Sequence, residues 1–206
     1  MSKNAACKIC RRLGEKLFLK GEKCLSPKCP FLRKPYPPGI HKKSIKLTGY
    51  GEELKEVQKL KKMYYLKEKQ FKKIVRNVLK KRGKEDLSLL LLKKLEVQLF
   101  NIIYRAGLAS SRRGARQLVS HGHFLLNGKN VNIPSIEVKL NQEIKLKESS
   151  KNKNYFKNIL PLIKEKEVPS WISFDKEKNI IKVVNEASVT NINKVNIPLI
   201  FSFYSR

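Results

Sequence analysis

The stretch LEVQLFNIIYRAGLASSRRGARQLVSHGHFLLNGKNVNIPS, Leu95 to Ser135, carries the pattern that decides the fold. Leu95, Leu99, Ile102 and Ile103, with Leu92 just upstream, recur at helical spacing, so one helix is expected from Leu87 until Gly107 ends it. Ser110 or Ser111 can cap the next helix, because a side-chain oxygen there satisfies an orphan N–H of its first turn. That second helix is short. Ala115, Leu118 and Val119 share one face; Arg113, Arg116, Gln117 and Ser120 lie opposite, with Arg112 on the flank. Gly122 breaks it. FLL-NG-KNV then reads as a hairpin with Asn127-Gly128 as its tight turn. Ile144 and Leu146 alternate with Lys145 and Lys147, the mark of a half-buried strand. Helices beside a small antiparallel sheet make the fold class α+β.

Upstream, residues 52–81 read as amphipathic helix. Leu54, Val57, Leu60 and Tyr64 recur with lysines between them, and a second helix near Lys67 would bury Phe71, Ile74, Val75, Val78 and Leu79. The run Arg82 to Asp86 is a break. Residues up to about Lys46 look loop-like, with the stiff run KPYPPG from Lys34 to Gly39. Downstream, residues 149–168 are polar and show no clear element. Trp171 to Phe174, Ile180 to Val184 and the closing IPLIFSFYSR read as short extended pieces. There is no internal repeat.

The chain has 206 residues, 46 Lys and Arg against 17 Asp and Glu, and a formal charge of +29. Such a protein repels itself unless a polyanion neutralises it, and nucleic acid is the usual one. The hydrophobic fraction of 41% is too high for a disordered polycation. An anionic membrane is the competing partner, but the longest apolar run, Leu89 to Leu92, is far too short to span a bilayer. MSKNAAC lacks the apolar core of a secretory signal, so the chain is expected to be soluble and intracellular. Charge is densest in the first 50 residues, with 13 bases against 2 acids, yet positive throughout. That distribution fits a protein wrapped by RNA better than one with a single binding face.

Cys7, Cys10, Cys24 and Cys29 are the only cysteines, spaced C-x2-C-x13-C-x4-C. In a reducing compartment two close pairs read as metal ligands rather than disulfides. One zinc ion on four thiolates is the expected occupant, and a [4Fe-4S] cluster is the alternative, since Cys29-Pro30 matches ferredoxin endings. Lys8, Arg11, Arg12, Lys23 and Lys28 would favour the −2 centre that four thiolates form around a divalent ion. The bland reading is four unrelated thiols. His41, His121 and His123 are distant in sequence, which argues against a Cys-His catalytic site.

Arg112, Arg113 and Arg116 suit bidentate phosphate contact or, equally, a solvated basic face. His121 and His123 flank Gly122 with no acid or cysteine nearby, so capping or packing between helix and strand is their expected role.

The opening stretch resembles the small RNA-binding domain named after bacterial small-subunit ribosomal protein number four, which also occurs in pseudouridine synthases and tyrosyl-tRNA synthetases. The similarity runs nearly end to end with that ribosomal protein family. CKICRRLGEKLFLKGEKC…KC resembles its zinc-bearing start, RKPYPPG and YGEELKEVQKLKKMYYLKEKQF follow in family order, and the chain closes on FYSR. Resemblance is weak across residues 149–195. Gln98 and Phe100 stand where the family usually has Arg and Asp, Tyr65 replaces a usual Gly, and Ile-His-Lys-Lys follows Gly39 in place of Gln-His-Gly.

The resemblance implies a helical domain (residues 47–94, completed by a tail, 176–206), an RNA-binding domain (95–175) and a metal-stapled arm (1–46). It implies a structural constituent of the small ribosomal subunit. Such proteins bind the 5′ domain of small-subunit (16S-type) rRNA, nucleate assembly of the subunit body, and contribute to mRNA entry and translational accuracy. Implied partners are that rRNA, neighbouring small-subunit proteins of families three and five, and mRNA near the entry channel, with no membrane and no small-molecule substrate. Location is the cytoplasmic ribosome, or an organellar one if the gene is organellar. RNA contacts carried over by motif are Arg112, Arg113, Arg116, Gln117 and His121 in the helix, and His123, Asn127 and Lys129 in the turn and hairpin. In the arm they are Arg11, Arg12, Arg33, Lys34 and Tyr36. Tyr36 could stack on a base or pack on the prolines. No enzyme activity is expected: Asp86 and Asp175 are the only aspartates, and neither sits in a recognisable catalytic setting. The rival readings are an RNA-modifying enzyme that borrows the same domain and a free-standing zinc regulator of nucleic acid.

Overall fold

A computed structural model describes residues 5–40, 46–81, 86–163, 168–175, 178–188 and 195–205. Most of the expected break at 82–86, the Ile-His-Lys-Lys departure beyond Ile40, and Arg206 of the closing motif lie outside these residues. The chain divides into two units, residues 1–88 with 191–206, and residues 89–190.

In the first unit the expected loop is three short helices: α1 (Ala5–Leu13), α2 (Glu22–Leu25) and α3 (Pro30–Arg33). Runs this short show little periodicity, so the sequence hides them. Gly14, at φ 72, turns the chain at the end of α1, and Pro30 opens α3, where its missing N–H costs nothing. Cys10, Leu13 and Leu17 are buried together, with Ile9, Leu19, Phe31 and Met63 against them.

Met63 ends α4 (Gly49–Met63), whose cap is Thr48; its hydroxyl accepts from the Gly51 N–H at 3.3 Å. Lys59 of α4 donates to Glu15 at 2.7 Å, so α1 rests on α4 through an apolar cluster and an ion pair. Tyr65 makes the following turn at φ 52, a left-handed conformation that glycine adopts more cheaply. Next, α5 (Glu68–Leu79) buries Phe71, Val75 and Val78.

The closing residues are a helix, Ile197–Ser205, rather than an extended piece. β-branched and aromatic residues crowd it, and it has no polar face to reveal a period. Tertiary contacts decide the matter. Ile197 and Ile200 are buried, Tyr204 packs on Phe71 at 6.0 Å between ring centroids, and Ser202 donates to Glu53 at 2.8 Å.

The second unit, from Leu89, holds most of α6 (Leu87–Glu96) and all of α7 (Leu99–Arg105), where one continuous helix was expected. The break has a visible cause. The Leu99 and Phe100 N–H groups, free at the start of a new helix, donate to the carbonyls of Ile136 (2.8 Å) and Pro134 (3.2 Å). Gln98 forms an isolated bridge with Glu137. A loop from beyond the hairpin thus captures the backbone that would have continued the helix.

Helix α8 (Arg112–Ser120) leads into β1 (Phe124–Leu126), β2 (Lys129–Val131) and β3 (Glu143–Leu146). Asn127 and Gly128, at φ 47 and 78, make the mirror-image turn foreseen for the hairpin. Residues 149–163, expected without structure, hold part of α9 (Glu148–Lys151) and all of α10 (Asn154–Ile163). Two strands follow, β4 (Ile172–Asp175) and β5 (Ile180–Val183). The five strands form one antiparallel sheet in the order β2-β1-β3-β5-β4. Because β5 lies between β3 and β4, residues 180–183 belong to this sheet rather than to the tail expected from 176.

Candidate nucleic-acid interface and cysteine cluster

Helix α8 is nine residues long and starts at Ser111, whose hydroxyl accepts from the Gly114 N–H at 3.2 Å. Ala115 and Val119 anchor it. That anchoring turns Arg113, Gln117, Ser120 and His121 outward, and the hairpin exposes Asn127, Lys129 and Asn130 beyond them. His121 caps the C-terminus, its N–H donating to Gln117 O, and Gly122, at φ 69, redirects the chain into β1. The outward face is polar, positive and rich in donors. It suits phosphates and 2′-hydroxyls better than any apolar ligand.

Other carried-over residues face inward. The Arg112 side chain is 12% exposed; its Nε donates to Asn101 Oδ1 at 2.7 Å and its guanidinium lies 4.7 Å from the centroid of the Tyr104 ring. Arg116 lies 5.6 Å from the Phe100 ring centroid. His123 is buried, 3.0 Å from the Ser150 hydroxyl and edge-on to Phe156. Burial first, then Lys153 with His121 and Lys147 nearby, push the His123 imidazole below its ordinary value and favour its neutral form. This is the packing role foreseen between helix and strand. Asn127 is exposed, but its Oδ1 accepts from the Glu143 N–H at 2.9 Å and ties the hairpin to β3.

The residues that set α8 in place escaped the sequence reading. Glu96 is almost fully buried and accepts from Asn101 (2.7 Å) and from Arg105 through two hydrogen bonds (2.9 and 2.7 Å), with Arg112 3.8 Å away. Asn101 donates to Glu96 and accepts from Arg112. A chain of charge-assisted bonds thus links α6 through α7 to the first turn of α8. A lone acid between Leu95 and Leu99 was the available signal.

In the arm, Arg11 donates through Nε to the carbonyls of Lys34 and Tyr36, both at 3.0 Å, and lies 5.0 Å from the Tyr36 ring centroid. It braces the proline run. Arg12, Arg33 and Lys34 are exposed. Lys8, Arg11, Arg33 and Lys34 surround a pocket of about 290 Å³ beside Cys7 and Pro30.

All four cysteines are buried and reduced. Burial pushes the Cys10 thiol up, the Leu17 N–H opposes it, and Cys24, Cys7 and Cys29 add to the rise. Cys24 behaves alike: burial raises it, and the Lys20 N–H, 3.3 Å from its sulfur, counteracts. The thiols thus sense one another's charge, with backbone donors aimed at two of them. Among the described residues no three His, Cys, Asp or Glu side chains stand close enough to hold an ion as placed. The donor set fits a thiophilic dication, which would cancel the mutual repulsion of the thiolates.

A family model described as "Ribosomal protein S4/S9 N-terminal domain" matches residues 2–96, and one described as "S4 domain" matches residues 98–144. "Small ribosomal subunit protein uS4" of Thermotoga petrophila is 42% identical over 204 residues, covering 97% of this chain and 96% of that protein. The protein of the same name from Syntrophomonas wolfei is 43% identical over 206 residues, 98% of each. That from Clostridium tetani is 43% identical over 204 residues, 98% of this chain and 97% of the relative. This chain belongs to the uS4 family. Two of the departures from the uS4 pattern expected above have a local setting. Phe100, read as replacing an Asp, is fully buried and offers Arg116 an aromatic face. Tyr65, read as replacing a Gly, makes a left-handed turn.

Proposed function

We propose that this chain is a structural constituent of the small ribosomal subunit that binds small-subunit rRNA and has no enzymatic role. One observation carries the reading: the near full-length match to proteins named for that subunit. The exposed face of α8 and its hairpin supports it, being built for phosphate and 2′-hydroxyl contact. Arg113, Gln117, His121 and Lys129 touch the RNA. Arg112, Arg116 and His123 hold the surface in shape from behind. The 5′ domain of the rRNA is the binding region, engaged early in assembly of the subunit body. Small-subunit proteins of families three and five are neighbours, and the mRNA entry is close by.

One zinc ion on Cys7, Cys10, Cys24 and Cys29 completes the arm. When bound it supplies a crosslink between α1 and the α2–α3 turns. The chain's own residues do the rest: the Leu17 and Lys20 N–H groups stabilise sulfur charge, and Arg11 fixes the proline run against α1.

An RNA-modifying enzyme is the weaker reading. Asp86 and Asp175 are both exposed and accept from nearby backbone, Asp86 from Ser88 at 2.8 Å and Asp175 from Lys178 at 3.1 Å. Filter binding to transcripts of the small-subunit 5′ domain and of a large-subunit segment of equal length tests the proposal. Preference for the former of at least ~10³-fold at physiological salt is expected, the scale of specific over non-specific binding. Equal affinity would contradict it.

A further inference from the structure

We propose that the solvent face of α5 is a second RNA-binding surface, one that grips phosphates without reading bases. The inference rests on the ribosomal RNA reading above. With its apolar stripe buried, α5 turns Lys69, Lys72, Lys73, Arg76 and Lys80 outward, all exposed. Together with Asn77 and the half-buried Leu79 these five cations line a groove of about 900 Å³. They follow one side of the helix through three turns, roughly 16 Å at the helical rise.

Among the described residues of α5 a single acid, Glu68, answers them, through its attraction for Lys72 one turn on. Glu68, the one acid in α5, is engaged by Lys61 and by the Tyr204 hydroxyl. Lys69 with Lys73, Lys72 with Arg76, and Arg76 with Lys80 are like charges one turn apart, which weakens a helix by a few tenths of a kcal/mol per pair. Lys69 also sits at the positive end of the helix dipole. Beyond the Glu68–Lys72 attraction the fold gains little from this arrangement, whereas a polyanion laid along it would remove the repulsion.

The occupant follows from what the face lacks. A protein partner would need an apolar anchor, and a membrane an exposed apolar stripe. On α5 the stripe residues Phe71, Val75 and Val78 are fully buried and Ile74 and Leu79 half-buried, so the helix exposes no large apolar side chain. Base reading needs donors and acceptors in fixed array, as Gln117 and His121 of α8 provide; among the residues that line the groove only Asn77 offers an acceptor, and the cations, Arg76 included, are donors on long flexible stems. Recognition thus lies with α8 and its hairpin, and sequence-independent grip with α5.

The test uses the full chain carrying Lys69→Gln, Lys72→Gln, Lys73→Gln and Arg76→Gln. Glutamine is a good helix former, and circular dichroism checks that the fold is kept. Binding to the small-subunit 5′-domain transcript and to an unrelated RNA duplex is measured across a salt series. The slope of log K against log salt should fall by about 3, at somewhat under one per lost phosphate contact. Both RNAs should lose affinity by the same factor, leaving the preference between them unchanged. The pair Lys73→Gln and Arg76→Gln should give half the slope change, which guards against a folding defect in the fourfold variant. An unchanged slope, or a loss confined to the cognate RNA, would overturn the inference. So would lost binding to phosphatidylserine vesicles alongside an unchanged RNA slope. A wild-type chain that shows no preference for the rRNA would instead sink the ribosomal reading.

Discussion

Glu96→Gln isolates the buried network behind α8. The substitution keeps the volume and removes one charge. Arg105, 25% exposed, and Arg112, 12% exposed, would then share a half-buried site with no carboxylate. Breaking a buried pair from one side costs about 3–5 kcal/mol, and because water reaches Arg105 the lower figure applies, about 3 kcal/mol. Trp171 is the single tryptophan, is buried, and lies within residues 89–190, so its fluorescence follows unfolding of that unit in the intact chain. With a urea dependence near 1.5 kcal/mol per molar for a unit of this size, the midpoint should drop by about 2 M. Glu96→Gln combined with Arg105→Gln should recover part of the loss, since the stranded charge is gone. A midpoint shift below about 0.5 M for the single variant would refute the view that Glu96 holds α7 and α8 together.

Arg113→Ala should lower the RNA salt slope by about 1 and leave the Trp171 urea midpoint unchanged, while Arg112→Ala should lower the midpoint first. Paired urea and filter-binding measurements separate the two. Tyr204→Phe should weaken the C-terminal helix by about 1 kcal/mol, seen as earlier protease cleavage after residue 195. Burial raises the Glu68 carboxyl, but its bonds from Lys61 and Tyr204 outweigh this and hold it below its ordinary 4.5. Burial and then Glu68 push the Tyr204 phenol well above its ordinary 10.0. The attachment is therefore fully present between about pH 4.5 and 10 and weakens on either side, a plateau that Tyr204→Phe should flatten. A chelator, or Cys7→Ser, should speed proteolysis within residues 1–46 and leave the Trp171 midpoint alone. Elemental analysis should find one zinc per chain, and equal protease resistance with and without metal would count against the staple.

Where local chemistry dictated a single outcome, the chain was readable. The Asn127-Gly128 turn, the Gly122 break and the Ile144/Leu146 alternation all stand where their residues placed them, and of the two candidate capping serines Ser111 serves. Misreadings came where distant contacts outvoted local preference. Carbonyls of Pro134 and Ile136 split one apolar stripe into α6 and α7. Packing on α4 and α5 turned a β-prone tail into a helix. Within the interface, helical spacing set Arg113, Arg116 and Gln117 outward with Arg112 on the flank, but Arg116 lies against the Phe100 ring and Arg112 is buried beside a carboxylate 16 positions upstream. The lysine stripe of α5 went unread, because only the fold showed which face of the helix is left to solvent.

Sedimentation of a cell extract that carries the tagged full-length chain tests the central claim most directly. The chain should travel with small ribosomal subunits at physiological salt and leave them only at high salt, as its charge of +29 requires. A chain found solely in the light fractions, never with small subunits, would contradict the account.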